Sequence, residues 1–477
     1  MIKNKQILIL FFVLQLTGLF AQDGYHIQVE LDNYQEDKIT LAYQFLDRYP
    51  VIDTVQINAD GKYIFQADSL LIPGVYMLVL PPENEFVTLL INENEQRFSV
   101  KTDARNITEK IEIKGSPDNT LYYDYSNYLN HQVAQLGQYR QAAAESVDAA
   151  EQEKYKKQFN EEVGKIRAYQ LEIIEEYPLS LTASLIKVEL ENEIPDFSHA
   201  AASEREYLRY AFRKKHYFDW IDMQDERLLR SEALFEKVDY YLNRLTHARP
   251  DSVNVAVDKI LDLFPPKSKS FKYYLDHLML SYASSNYVGM DAVYVHIVEN
   301  YYAKGLAPWV AEDDLAEMVD DVTHRKHLLL GKTAPNVQMQ LRDGTPFALH
   351  DVQANFTVLY LWQPNCSHCK KSLPFMKDFY QKFKDKGVKI FAACTKTNKQ
   401  IPKCWEYVDE NEIGEWTHAV DPFLKSRFVQ KYMAKKTPKI FILDKNKTIV
   451  MKDIGAEQLE EVMNDLLAKE VEGMGKS

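Results

Sequence analysis

The stretch "TVLYLWQPNCSHCKKSLPFM", Thr357 to Met376, decides how the last quarter of this chain folds. Thr357 to Trp362 is almost continuously apolar, the pattern of a strand buried on both faces. The segment "CKKSLPFMKDFYQKFKDKG" reads as a helix closed by Gly387. Cys366 and Cys369 therefore stand where a strand ends and a helix begins. By spacing alone such a pair fits a redox catalyst, half of a metal site or a structural staple. Position narrows the choice, because the positive end of the helix dipole and its unpaired N–H groups favour a thiolate. Cys366 is expected to be the acidic nucleophile, and Cys369, one turn on and set deeper, the resolving thiol. His368 lies between them, either as an exposed loop residue or as a tuning group. As a tuning group it supplies a positive charge when protonated and a ring donor when neutral. Either form stabilises the reduced pair and makes the disulfide a stronger oxidant.

Outward from this stretch, "VKIFAAC", "KIFILD" and "TIVMKD" read as further strands. In "EQLEEVMNDLLAKE" the residues Leu459, Val462, Met463, Leu466 and Leu467 share one helical face. From Lys332 onward strand and helix alternate, as in an α/β domain.

Together, "LWQPNCSHCKKSLPFM" and "TPKIFILD" resemble the thioredoxin-like disulfide oxidoreductases of the cell envelope, the TlpA and ResA type, and "GKTAPNVQMQLRDGTPFALHD" resembles their leading strands. The resemblance runs from about Leu330 to Glu470 and implies a thioredoxin fold. It implies a cis peptide before Pro438, with the backbone of Thr437 free to pair with an extended substrate, since proline tolerates that bond and lacks an N–H. It implies that Trp362 and Pro364 shape the approach to Cys366, although Trp362 serves equally well as core. Two positions depart from the pattern. Thioredoxins often bury an aspartate where this chain has Tyr360, and some TlpA-like proteins use a glutamate where it has Ser372.

The remaining cysteines, Cys394 and Cys404, are either two semi-buried small hydrophobes or a second disulfide. Their spacing does not form the second close pair that a zinc site uses, and no metal or other cofactor is expected. A Gly-rich phosphate loop, a G-x-S-x-G elbow and an H-E-x-x-H motif are all missing from the sequence.

Upstream, residues 22–116 alternate with period two. Ile27, Val29 and Leu31 oppose Gln28 and Glu30, and "VIDTVQI", "KYIFQA", "GVYMLVL", "FVTLLI" and "RFSV" follow between turn-forming segments. These predict an all-β, sandwich-like domain with antiparallel strands. Residues 117–330 change to helical spacing rich in Glu, Lys, Gln, Leu and Tyr, with a stop at Tyr177 ahead of Pro178. The tyrosines of "LYYDYSNY" and "KYYLDH" line a groove or fill a core. Residues 331–477 are the α/β domain. The chain as a whole is expected to be multidomain.

Lys3 and Lys5 precede an apolar run from Ile7 to Leu16, and small or apolar residues lead to Ala21, so residues 1–21 read as a secretory signal. The expected location is the periplasm, with membrane attachment only if the signal stays uncleaved. A formal net charge of −13 argues against a nucleic-acid partner. The expected partners are protein thiols and disulfides and an envelope electron donor or acceptor. The resemblance adds cytochrome c maturation as a use open to such a protein. The reading is an exported thiol-disulfide oxidoreductase, a protein disulfide reductase or isomerase acting through Cys366-Ser-His-Cys369. The alternative is an envelope binding or scaffold protein whose thioredoxin-like domain is structural.

Overall fold

The computed structural model describes residues 24–474, so the expected signal over residues 1–21 lies outside the described residues. The chain divides into two compact units between Tyr241 and Leu242.

The first unit opens with β1 (Tyr25–Asp32), β2 (Lys38–Tyr43), β3 (Val51–Gln56) and β4 (Tyr63–Ala67), then β5 (Gly74–Leu80), β6 (Glu85–Ile91), β7 (Arg97–Asp103) and β8 (Glu112–Lys114). They form two four-stranded sheets, ordered β4-β1-β7-β8 and β3-β2-β5-β6. The period-two alternation places Ile27, Val29, Leu41, Phe65, Leu78 and Leu89 in one shared apolar core. The expectation of purely antiparallel strands is corrected, because β1 and β7 pair in parallel, Ile27 beside Phe98 and Val29 beside Val100. The chain leaves the first sheet after β4, builds β5 and β6 in the other, and returns in the direction of β1. Two strands were not anticipated: β8 is only three residues long, and β2, "KITLAY", follows a charged segment.

Helices α1 (Pro117–Glu145), α2 (Ala149–Glu176), α3 (Leu181–Glu189), α4 (Ala202–Lys215) and α5 (Glu232–Asn243) follow. Ser116 caps α1 by accepting from the Asn119 N–H, with Pro117 at the first helical position, where its missing N–H costs nothing. The α2 helix ends where Pro178 predicts, with Tyr177 as its C-cap. Tyr123 and Tyr125 are buried, so these tyrosines belong to cores.

In the second unit, α6 (Pro250–Leu263), α7 (Lys269–Ala283), α8 (Asp291–Ile297) and α9 (Glu312–Arg325) precede an α/β domain. Tyr274 of "KYYLDH" is again buried. The domain runs β9 (Gln338–Gln340), β10 (Pro346–Ala348), β11 (Phe356–Trp362), α10 (Ser367–Phe383), β12 (Val388–Cys394), α11 (Pro402–Glu410), β13 (Thr417–Val420), α12 (Phe428–Lys431), β14 (Lys439–Leu443), β15 (Ile449–Lys452) and α13 (Leu459–Met474). The seven strands are ordered β10-β9-β13-β12-β11-β14-β15. Every residue of β11 is buried, as its apolar run requires. Sequence reading missed β13, "THAV", which is four residues long and carries a histidine in the core.

Gly387 turns the chain from α10 into β12 at φ 81°, and a Cβ there would lie 2.6 Å from the Asn355 amide. Lys452, 3 % exposed, anchors β15 to the neighbouring helices: its Nζ donates to Asp291 at 2.5 Å and to the Leu328 carbonyl at 2.8 Å.

Candidate active site

Strand β11 is central, parallel to β12 and antiparallel to β14, so the chain leaving it at Trp362 starts from a rigid base. Cys366 is the N-cap of α10, with extended torsions (φ −87°, ψ 120°). Its Sγ accepts from the Cys369 N–H at 3.2 Å, in the manner of a capping oxygen. It also donates to the Thr437 carbonyl at 3.1 Å. Both cysteines are free thiols. Cys366 is 9 % exposed and Cys369 2 %, so the first is the more accessible of the two.

The two environments push the thiols in opposite directions. Burial works to raise the pKa of Cys366, but hydrogen bonds from Cys369, from the Thr437 side chain and from the N–H groups of Cys369 and His368 outweigh it, leaving the value below that of an ordinary thiol. Burial raises Cys369 to about 12, helped by its hydrogen bond to Cys366. The first thiol therefore ionises more readily than the second, which burial keeps protonated.

The Thr437–Pro438 peptide is cis. Thr437, Pro438 and the exposed His368 line a cleft of about 570 Å³ with Phe375, Lys439 and Glu457. Pro364 is half-buried before the cysteines. Trp362 lies in the core at 2 % exposure, stacked with Tyr360 (ring centroids 6.5 Å apart) and packed on Tyr407 (5.2 Å) and His418 (6.2 Å). Sequence reasoning did not anticipate this aromatic wall behind the thiols. The in-phase spacing of Tyr360 and Trp362 in β11 was its one visible signal. Tyr407 and His418 come from α11 and β13, elements that pattern alone could not place beside it.

Cys394 and Cys404 form a disulfide, with Cα atoms 6.5 Å apart. Of the two alternatives open for them, the structure takes the bridge, and both sulfurs are thereby withdrawn from any shared zinc set with Cys366 and Cys369. Among the described residues no helix is long and apolar enough to cross a membrane.

A helix-capping cysteine, a buried partner one turn on and a cis-proline loop against them, all carried at the end of a central strand, define a thioredoxin-like thiol-disulfide oxidoreductase domain. Residues 330–452 match the AhpC/TSA family, and the preceding regions match two domains of unknown function, DUF4369 over 25–122 and DUF5106 over 144–323. The thiol-disulfide oxidoreductase ResA of Bacillus cereus is 29 % identical over 145 residues, spanning 30 % of this chain and 80 % of that protein. A domain of a possible thiol-disulfide isomerase from Cytophaga hutchinsonii is 32 % identical, with 31 % of this chain and 97 % of that one covered and a TM-score of 0.28. A thioredoxin-like protein from Bacteroides caccae is 18 % identical, with 57 % and 96 % covered and a TM-score of 0.43.

Proposed function

We propose that this protein is an exported disulfide reductase or isomerase acting on other proteins through Cys366 and Cys369. The observation that carries the reading is the Cys369 N–H donating to Cys366 Sγ at 3.2 Å, with the second thiol buried behind it. The Cys366 thiolate attacks one sulfur of a substrate disulfide, and the other substrate sulfur leaves with the electron pair and takes up a proton. Cys369 then gives up its proton and attacks Cys366 Sγ, closing the Cys366–Cys369 disulfide and releasing the reduced substrate. Attack occurs from the cleft, where an extended segment runs beside cis-Pro438 and pairs with the Thr437 backbone.

His368 tunes the couple toward a less reducing potential, by favouring the dithiol form. The signal-like residues 1–21 support a periplasmic site of action. There the pair needs an envelope electron donor to act as a reductase. The β-rich domain (22–116) and the helical region (117–330) present substrates to the oxidoreductase domain (331–477).

The test is insulin reduction by the full chain with dithiothreitol as electron source. Turnover that Cys366→Ser abolishes supports the reading. Equal, negligible turnover by both proteins leaves the α/β domain as a structural unit of an envelope binding protein.

A further inference from the structure

Cys369 must become a thiolate to resolve a mixed disulfide, yet it is 2 % exposed and sits among Leu373, Met376 and the aromatic wall. A sulfur anion in such a place depends on donors built into the protein. The Gln363 backbone and the Thr437 side chain each favour its ionised form. A third polar group reaches it from the sheet. Tyr360 points its hydroxyl at Cys369 and donates to its carbonyl oxygen at 3.4 Å.

That phenol is held firmly. Its strand is flanked on both sides, Tyr360 pairing with Ala392 and with Ile440. Its ring stacks on Trp362 at an interplanar angle of 4° and meets Trp416 edge-on. The side chain is 2 % exposed, so water does not compete for the hydroxyl. Burial, then a charge on Cys369, raise its pKa, which means it stays protonated and acts as a donor, never as the base.

Resting on the reading above, we propose that Tyr360 is a positioning residue for the second half of the reaction, its hydroxyl turning from the Cys369 carbonyl to the Cys369 sulfur as that thiol ionises. Cys369 gives up its proton, and the departing substrate sulfur takes one up, so the step balances. The sulfur, held by the Tyr360 O–H, attacks Cys366 Sγ, the Cys366–Cys369 bond forms, the bond from Cys366 to the substrate breaks, and the substrate sulfur departs with the electron pair. In the reverse direction the same hydroxyl receives Cys369 as the leaving thiolate.

The full chain, with Cys366 and Cys369 as thiols and the Cys394–Cys404 bridge intact, is mixed with 5,5′-dithiobis(2-nitrobenzoate), and thionitrobenzoate release is followed in time. Attack by Cys366 releases the first equivalent and closure by Cys369 the second. Tyr360→Phe keeps the ring and removes the hydroxyl. It should leave the first phase unchanged and slow the second by about tenfold, the loss of one hydrogen bond to a charged group. A second phase at the wild-type rate overturns the proposal, as does equal slowing of both phases. If Tyr360→Phe does not fold, 3-fluorotyrosine at position 360 replaces it. Its more acidic phenol should quicken the second phase, and an unchanged rate overturns the proposal. A wild-type protein with no first phase overturns the catalytic reading and this proposal together.

Discussion

Cys366 and Thr437 are 71 positions apart in sequence, yet the thiol of one donates to the carbonyl of the other at 3.1 Å. The start of α10 and the loop before Pro438 are therefore tied together, and loss of the Cys366 proton would release that carbonyl. The alkylation rate of Cys366, measured in Cys369→Ser with iodoacetamide, should rise to half its maximum below pH 9.0, the ordinary thiol value. Cys369, measured in Cys366→Ser, should stay unreactive through neutral pH, since burial holds it as the thiol. The sign follows from the lowered value: the thiolate and its hydrogen bonds are present above the folded pKa of Cys366 and lost as pH falls through it. Equal profiles for the two cysteines would contradict the asymmetry.

His368 lies on the exposed rim of the cleft. Replacing it with alanine removes the imidazole donor from beside Cys366 and keeps the backbone N–H at this position, from which Cys366 accepts. The reduction potential should fall by on the order of 30 mV, read by equilibration with glutathione. A potential that rises or stays constant would show that His368 does not stabilise the reduced pair.

The buried imidazole of His418 donates from Nε2 to the Ile413 carbonyl at 2.8 Å and stacks on Trp416. Burial lowers its pKa from 6.5 to about 4. Its neutral form thus contributes stability that is complete above pH 6.5 and lost as pH falls from 6.5 toward 4, by up to about 3 kcal/mol across that window. Urea unfolding at pH 7 and pH 4.5 should show a smaller acid loss in His418→Phe than in wild type. An identical loss would place the acid sensitivity elsewhere.

Lys452 is buried and its partner Asp291 half-buried, so removing one of the pair leaves the other charge poorly solvated. Lys452→Ala should cost about 3 kcal/mol in denaturant unfolding, whereas Lys452→Met with Asp291→Leu together should recover most of that. A single substitution costing under about 1 kcal/mol would show that water reaches the pair.

The Cys394–Cys404 disulfide closes a short loop beside Trp362, which is in register with Cys394. Replacing both cysteines with alanine should lower stability by about 2 to 3 kcal/mol while leaving insulin reduction within about twofold of wild type. Complete loss of turnover in a folded variant would draw this second bridge into the redox reaction.

Much of the molecule was readable from local pattern. The almost continuously apolar run Thr357–Trp362 reads as a strand buried on both faces, and its junction with α10 places Cys366 at a helix N-terminus. Alternation in β1 and helical spacing from Leu121 onward separated the β-rich and helical regions for the same reason: the period of burial is a property of the local backbone. What resisted reading were short or non-local features. The β13 strand has four residues, too few to show a period, and the parallel pairing of β1 with β7 depends on a return crossing that no local signal encodes.

The sequence by itself determined which sulfur is exposed to the helix dipole and which lies one turn behind it, because both follow from spacing along a single helix. Only the tertiary structure decided what surrounds them. Thr437 and the cis peptide before Pro438, Tyr360 beneath Cys369, the wall of Trp362, Tyr407 and His418, and the pairing of Cys394 with Cys404 all require segments distant in the chain to meet. The opposite shifts of the two thiols come from that enclosure, since burial and hydrogen-bond donors act through space and not along the chain.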